Sequence, residues 1–138
     1  MGIGGEFEKN TTLDKEFCWA LDYGIELGMT FIDTAEVYAG GHSEELVGRV
    51  SENKRQNLFI ATKFSPENNG FESVLSSAEK SLKRLKSCYI DLYQVHWPNP
   101  SIPIEETMEA LLNLLEKGKV RFIGLSNFSK REMEEAQS

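Results

Sequence analysis

Polar residues with chemical potential recur along this chain about every thirty positions, each closing a short apolar run. Asp33 follows Met29-Thr30-Phe31-Ile32, and Lys63 follows Leu58-Phe59-Ile60-Ala61-Thr62. His96 follows the run from Tyr89 to Val95, and Ser126 follows the run from Val120 to Leu125. The intervals between these four residues are 30, 33 and 30. One strand–helix–strand unit takes roughly 30 residues. Runs that are apolar on both faces are the mark of strands in a parallel sheet covered by helices.

Helical patterns fill the spaces between the runs. Thr12 is a candidate N-cap for a helix carrying Phe17, Leu21 and Ile25 at four-residue spacing, and Gly28 stops it. Ser43 is a candidate cap for a short helix with Leu46, Val47 and Val50. Phe71, Val74, Leu75, Ala78, Leu82 and Leu85 form a third stripe. Pro103 suits the first turn of a fourth helix, with Ile104, Met108, Leu111, Leu112 and Leu115 on its apolar side and Gly118 past its end. Ser129 and Glu132 have the spacing of a capping box for a last helix, which runs to Ser138.

The fold class is therefore α/β. The even spacing suits a (β/α)8 TIM barrel, in which functional residues gather at the C-terminal ends of the strands. A doubly wound sheet fits the alternation nearly as well. It would more often carry a glycine-rich phosphate turn before a helix, and Met1-Gly2-Ile3-Gly4-Gly5 has no helix after it. A full barrel takes about 250 residues. The 138 residues supply four clear strands and the stub of another at the N-terminus, so about the first half of a barrel is expected.

Composition removes several classes of function. With 15 basic and 22 acidic residues the net charge is −7, which argues against nucleic acid as a partner, since phosphate neutralisation needs clustered Lys and Arg. No apolar run approaches the roughly 18 residues of a membrane span. The first residues lack the basic and apolar character of a signal peptide. Cys18 and Cys88, both in apolar surroundings, read as buried free thiols in a reducing cytoplasm.

Strand periodicity alone brings Asp33, Lys63 and His96 to one rim, with Tyr38 on the loop above it. A tyrosine, with an unperturbed pKa of about 10, is a poor acid near neutrality unless a cation stabilises its phenolate. Lys63 can supply that cation, Asp33 can anchor the lysine, and His96 can polarise a carbonyl oxygen. Taken singly, each residue also fits a cap, a solvated charge or a packed loop side chain; their joint placement favours chemistry. No serine or cysteine has a base at a useful offset. Protonation of a carbonyl coupled to hydride delivery from a cofactor fits better than hydrolysis. Metal binding is not expected, because His42-Ser43-Glu44-Glu45 lacks ligand spacing and the chain has 2 histidines.

Gly28 to Tyr38, with Gly41, Ser43, Glu44 and Gly48 after it, resembles the aldo-keto reductase signature. Ala61-Thr62-Lys63 resembles the lysine strand of that family. Ser81 to Leu85, followed by Tyr89 to Pro98, resembles its histidine strand, and Gly118 to Phe128 resembles the segment it sets against the nicotinamide. The motifs are long, ordered and correctly spaced. The resemblance implies a domain over residues 1–138 that is the N-terminal half of an aldo-keto reductase barrel, ending after the strand closed by Ser126-Asn127 and the start of the next helix.

The resemblance further implies NADPH as cofactor and reduction of an aldehyde or ketone to an alcohol. Asp33, Tyr38, Lys63 and His96 would be the catalytic tetrad, with Tyr38 as proton donor. Asp33, Ser126 and Asn127 would contact the cofactor, and Trp97 would line the substrate pocket. The family's ring-stacking aromatic and its basic residues for the adenosine 2′-phosphate come from later strands, which this chain does not contain. A cytoplasmic location, a small carbonyl substrate, no membrane or nucleic-acid partner, and self-association through the open half barrel complete the expectation. The alternative is a regulatory or truncated relative that retains the tetrad without turnover.

Overall fold

The computed structural model describes residues 2–137, so Met1 and Ser138 lie outside the described residues. Four strands, β1 (Phe31–Asp33), β2 (Phe59–Phe64), β3 (Ile90–Val95) and β4 (Val120–Leu125), form one sheet. All three pairings are parallel and the spatial order is the chain order. A doubly wound sheet reverses direction at a switch point. Consecutive order without reversal is the arrangement of one side of a (β/α) barrel.

The helix α1 (Asp14–Glu26) precedes β1, the helices α2 (His42–Ser51), α3 (Phe71–Arg84) and α4 (Ile104–Glu116) occupy the three connections, and α5 (Lys130–Ala136) follows β4. The β2-to-β3 and β3-to-β4 crossovers build the core. Ile60, Phe64, Tyr93 and Val95 point from the sheet into Val74, Ala78 and Leu82 of α3 and Ala110, Leu111 and Leu114 of α4. Successive strand residues face opposite sides. The other face therefore presents Phe31, Phe59, Leu92 and Phe122, in register as Phe31 beside Phe59 and Leu92 beside Phe122. Phe31 and Phe59 stack with ring centroids 5.3 Å apart, and Phe59 and Phe122 lie 6.1 Å apart. Phe31 and Phe122 are each 58% exposed, so the inner face of this half barrel is open.

Several sequence expectations need correction. Residues 2–13 form turns, with no strand among the described residues there. Thr12 does not cap α1: the N-cap is Leu13, which makes no side-chain cap bond, while the Thr12 backbone N–H donates to the Asn10 side chain. Ser43 lies inside α2, whose N-cap is Gly41 at φ 91°, and the Ser43 hydroxyl accepts from Thr34 Oγ1 instead. Pro103 is the N-cap of α4 and precedes its first turn. Phe17, Leu21 and Ile25 are only half-buried, because α1 sits at the open end of the sheet and has no fully buried residue. Both cysteines are free, but Cys18 is half-buried and Cys88 exposed. The capping box at Ser129 and Glu132 forms as its spacing predicts. Gly28 and Gly118 take positive φ just past their helices.

The tightest helix contact is at Gly48 in α2. A β-carbon there would lie 2.4 Å from the Arg84 carbonyl oxygen and 2.8 Å from the Leu85 carbonyl carbon. Both are backbone atoms at the end of α3, so neither can swing aside. Gly48→Ala should push α2 off α3 and cost about 1–3 kcal/mol despite the better helix propensity of alanine. A urea titration should show the midpoint fall; an unchanged midpoint would mean the contact can relax.

Candidate active site

β1 and β2 pair with Asp33 opposite Ala61, which leaves Lys63 two residues further along the neighbouring strand and on the same face. The Lys63 side chain turns back across that gap. Its Nζ donates to Asp33 Oδ1 at 2.6 Å and to the Thr34 carbonyl at 2.8 Å. An ammonium has three donors, so two are spent on holding it and one is left for the pocket. Lys63 is 7% exposed, whereas the Asp33 side chain is about half open to solvent.

Tyr38 opens the turn Tyr38–Gly41. Ala39, Gly40 and Gly41 all take positive φ there, at 52°, 61° and 91°. Such a run is strained for an L residue, and it swings the chain sharply from the Tyr38 turn into α2. Gly41 has a second reason to lack a side chain, since a β-carbon would meet the Arg84 stem at 2.8 Å. The Arg84 guanidinium donates to fully buried Glu44 at 2.6 Å, and Glu44 also accepts from Thr62 Oγ1 at 2.6 Å. The turn thus rests on a buried ion pair that joins α2, α3 and β2.

His96 extends β3, its N–H bonded to the Phe64 carbonyl. The Lys63 ammonium lies 5.3 Å from the centre of the Tyr38 ring, and the Tyr38 and His96 rings meet edge to face at 5.8 Å. The four residues singled out from sequence therefore come together on one rim. Trp97 stacks on the His96 imidazole with centroids 3.6 Å apart and remains 42% exposed. Ser126 and Asn127 stand at the end of β4. Asn127, at φ 62°, donates its amide to the His96 carbonyl at 2.8 Å and to Ser126 Oγ at 3.2 Å.

Burial lowers the His96 pKa, and the Lys63 charge lowers it further, while Asp33 and Glu36 push it back up. The ring is thus biased to the neutral form, the form that can both donate and accept a hydrogen bond.

The sequence reading did not single out Glu36 as a site residue, nor the backbone carbonyl of Thr34. Glu36 Oε1 accepts the Ser65 N–H and the Asn68 amide, each at 2.7 Å. Its position beside Tyr38 was the only signal. A main-chain acceptor such as Thr34 leaves none. Each ring nitrogen of His42 lies 2.7 Å from a carboxylate, Asp14 on one side and Glu45 on the other. Its hydrogen bond is the main reason the Asp14 pKa is lowered. At Glu45 the larger cause is Lys9, with His42 second.

A parallel four-stranded half barrel with Asp33, Tyr38, Lys63 and His96 on one rim defines the class, and comparison with known proteins agrees. The profile of the Aldo/keto reductase family matches residues 1–138, and the chain belongs to that family. It is 45% identical to aldo-keto reductase YhdN of Bacillus subtilis, over 96% of this chain and 43% of that protein. It is 43% identical to methylglyoxal reductase YeaE of Escherichia coli, over 84% of this chain and 40% of that one. Among solved structures, the thermostable aldo-keto reductase Tm1743 superposes with a TM-score of 0.96 at 46% identity, covering 98% of this chain and 50% of the other. An aldo/keto reductase from Klebsiella pneumoniae in complex with NADP and acetate superposes at 0.88 with 36% identity, over 91% of this chain and 44% of that one. The chain spans about half the length of the proteins it matches.

The His96 environment yields a pH prediction. An imidazole whose folded pKa is below its unfolded value of about 6.5 resists protonation in the fold. Its stabilising contribution is complete above that unfolded value and is lost as pH falls through the folded midpoint. The stability advantage of the wild type over His96→Gln should therefore shrink on acidification. NMR of the ring C–H protons should place the His96 midpoint below 6.5. A midpoint above that value would contradict the burial argument.

Proposed function

We propose that this chain carries the catalytic residues of a carbonyl reductase that converts an aldehyde or ketone to an alcohol, and that residues 1–138 are the N-terminal half of its barrel domain. The observation that supports this most is the lysine ammonium held between Asp33 and the Thr34 carbonyl, with the Tyr38 ring 5.3 Å away and His96 beyond it. A tyrosine beside a fixed cation and a neutral histidine suits proton donation to a carbonyl oxygen. The family membership and the NADP-bound relative favour NADPH as cofactor.

The donor set at the end of β4 fits a nicotinamide. A carboxamide offers one acceptor and one donor group. The Ser126 hydroxyl can serve either, and Asn127, with its amide nitrogen tied to the His96 carbonyl, keeps Oδ1 as an acceptor. Asp33, close by on the same rim, is the third residue assigned to the cofactor. NADPH, when bound, supplies the hydride for the carbonyl carbon. The Tyr38 hydroxyl gives its proton to the carbonyl oxygen as negative charge builds there. Lys63 stabilises the phenolate left behind, and Asp33 holds Lys63 charged and oriented. His96 donates to the same carbonyl oxygen, and Trp97, stacked on it, forms a wall for the substrate. Small reactive carbonyls such as methylglyoxal are the substrates to test first, given the YeaE relative. No described helix is long and apolar enough to cross a membrane, and we place the protein in the cytoplasm.

Tyr38→Phe in the intact protein removes only the phenol oxygen. kcat for carbonyl reduction should fall about 10² to 10⁴-fold, because the proton is needed in the transition state. NADPH affinity, measured by fluorescence titration, should be nearly unchanged. A wild-type kcat in Tyr38→Phe would remove it from the mechanism, and the reading of a turnover-free relative would then gain.

The 138-residue chain studied by itself should associate through its inner face. Phe31, Phe59 and Phe122 form an exposed aromatic row there, and β1 and β4 each have one unpaired edge. Light scattering should report species larger than a monomer, and reductase activity should be very low. A monodisperse monomer with ordinary turnover would refute both expectations.

A further inference from the structure

The turn that carries Tyr38 is fastened to the strand that carries Lys63 by a side chain with no part in the reaction described above. Glu36 lies two residues before Tyr38, and Ser65 lies two residues past Lys63. The backbone N–H of Glu36 donates to the Lys63 carbonyl at 3.0 Å. Its Oε1 accepts the Ser65 N–H and the Asn68 side-chain amide, each at 2.7 Å. One residue therefore grips the end of β2 with both main chain and side chain. Downstream, the Tyr38–Gly41 turn has three consecutive positive φ angles and no side-chain cap bond at its start. The turn entry is closed locally by the Tyr38 N–H donating to the Ala35 carbonyl at 3.1 Å, and Glu36, inside that closure, is what ties it to the end of β2.

Taking Tyr38 as proton donor, as proposed above, we propose that Glu36 is a positioning residue that holds the Tyr38 turn against the Lys63 strand end. Asp33 contacts Lys63 directly, whereas the Glu36 side chain is bonded only to neutral groups.

The grip and the charge separate chemically. A single oxygen, Oε1, makes both side-chain contacts. Glutamine keeps an oxygen there and loses the charge, whereas alanine loses both. In the intact protein, E36A should lower kcat about 10 to 10²-fold, the scale expected when a catalytic group is misplaced by around an ångström, with KM for the carbonyl little changed. E36Q should retain most of the wild-type kcat. By NMR, the Tyr38 ring resonances should shift or broaden in E36A and stay in place in E36Q.

Undisturbed Tyr38 resonances in E36A would overturn the positioning role, as would a wild-type kcat there. An E36Q variant as slow as E36A would overturn it too, since glutamine keeps the oxygen that makes the grip. A wild-type protein that reduces no carbonyl would count against the proposed function instead, and the Tyr38 resonances would still decide the case of Glu36.

Discussion

The pairing of β1 with β2 is the constraint from which the site follows. Because Asp33 sits opposite Ala61, the Lys63 side chain starts one strand over and two residues higher, within reach of the Asp33 carboxylate and the Thr34 carbonyl. A slip of one residue would turn Lys63 to the helix side of the sheet, where Phe64 and Tyr93 pack. The ammonium would then be buried among apolar groups, at a cost of several kcal/mol. The apolar contacts that fill the helix side therefore also decide the orientation of the lysine, although none of them touches it.

The polar groups that brace this register are themselves buried and paired. At one end of β3, Asp91 is 1% exposed and accepts from Arg55, Arg121 and the Ile60 N–H, which ties β2, β3 and β4 together. Toward the other end, Glu44 joins Arg84 and Thr62 beneath the Tyr38 turn. A buried carboxylate without its partners would cost more than either pair contributes. These pairs consequently penalise alternative packings more than they stabilise the native one. The strained turn is tolerated on that foundation, as strained backbone commonly is where chemistry is performed.

How much could be read beforehand depended on the range of the interaction. The capping box at Ser129 and Glu132 is local and forms as its spacing predicts. The four strands were legible to within two residues, because a short run apolar on both faces and filled with β-branched and aromatic residues has few other uses. The caps assigned to Thr12 and Ser43 were not borne out. In each case the hydroxyl residue was present, but a tertiary partner or a different entry angle claimed the position. Half-burial of Phe17, Leu21 and Ile25 was equally hidden, since periodicity reports which face of a helix is apolar and is silent on whether anything covers it.

The residue types, their thirty-residue spacing and the alternation of elements come from the sequence alone. Together they determined a parallel α/β half barrel with Asp33, Tyr38, Lys63 and His96 at one end, because strand length and crossover length leave little freedom in where a strand stops. The tertiary structure decided everything that depends on pairs distant along the chain. It set the second anchor of Lys63 on the Thr34 carbonyl, the grip of Glu36 on Ser65 and Asn68, the neutral bias of His96 and the bare aromatic inner face. The physical reason is that hydrogen bonds and desolvation act over a few ångströms of space. Residues that are 29 or 32 positions apart in the chain acquire such contacts only after the sheet has brought them together.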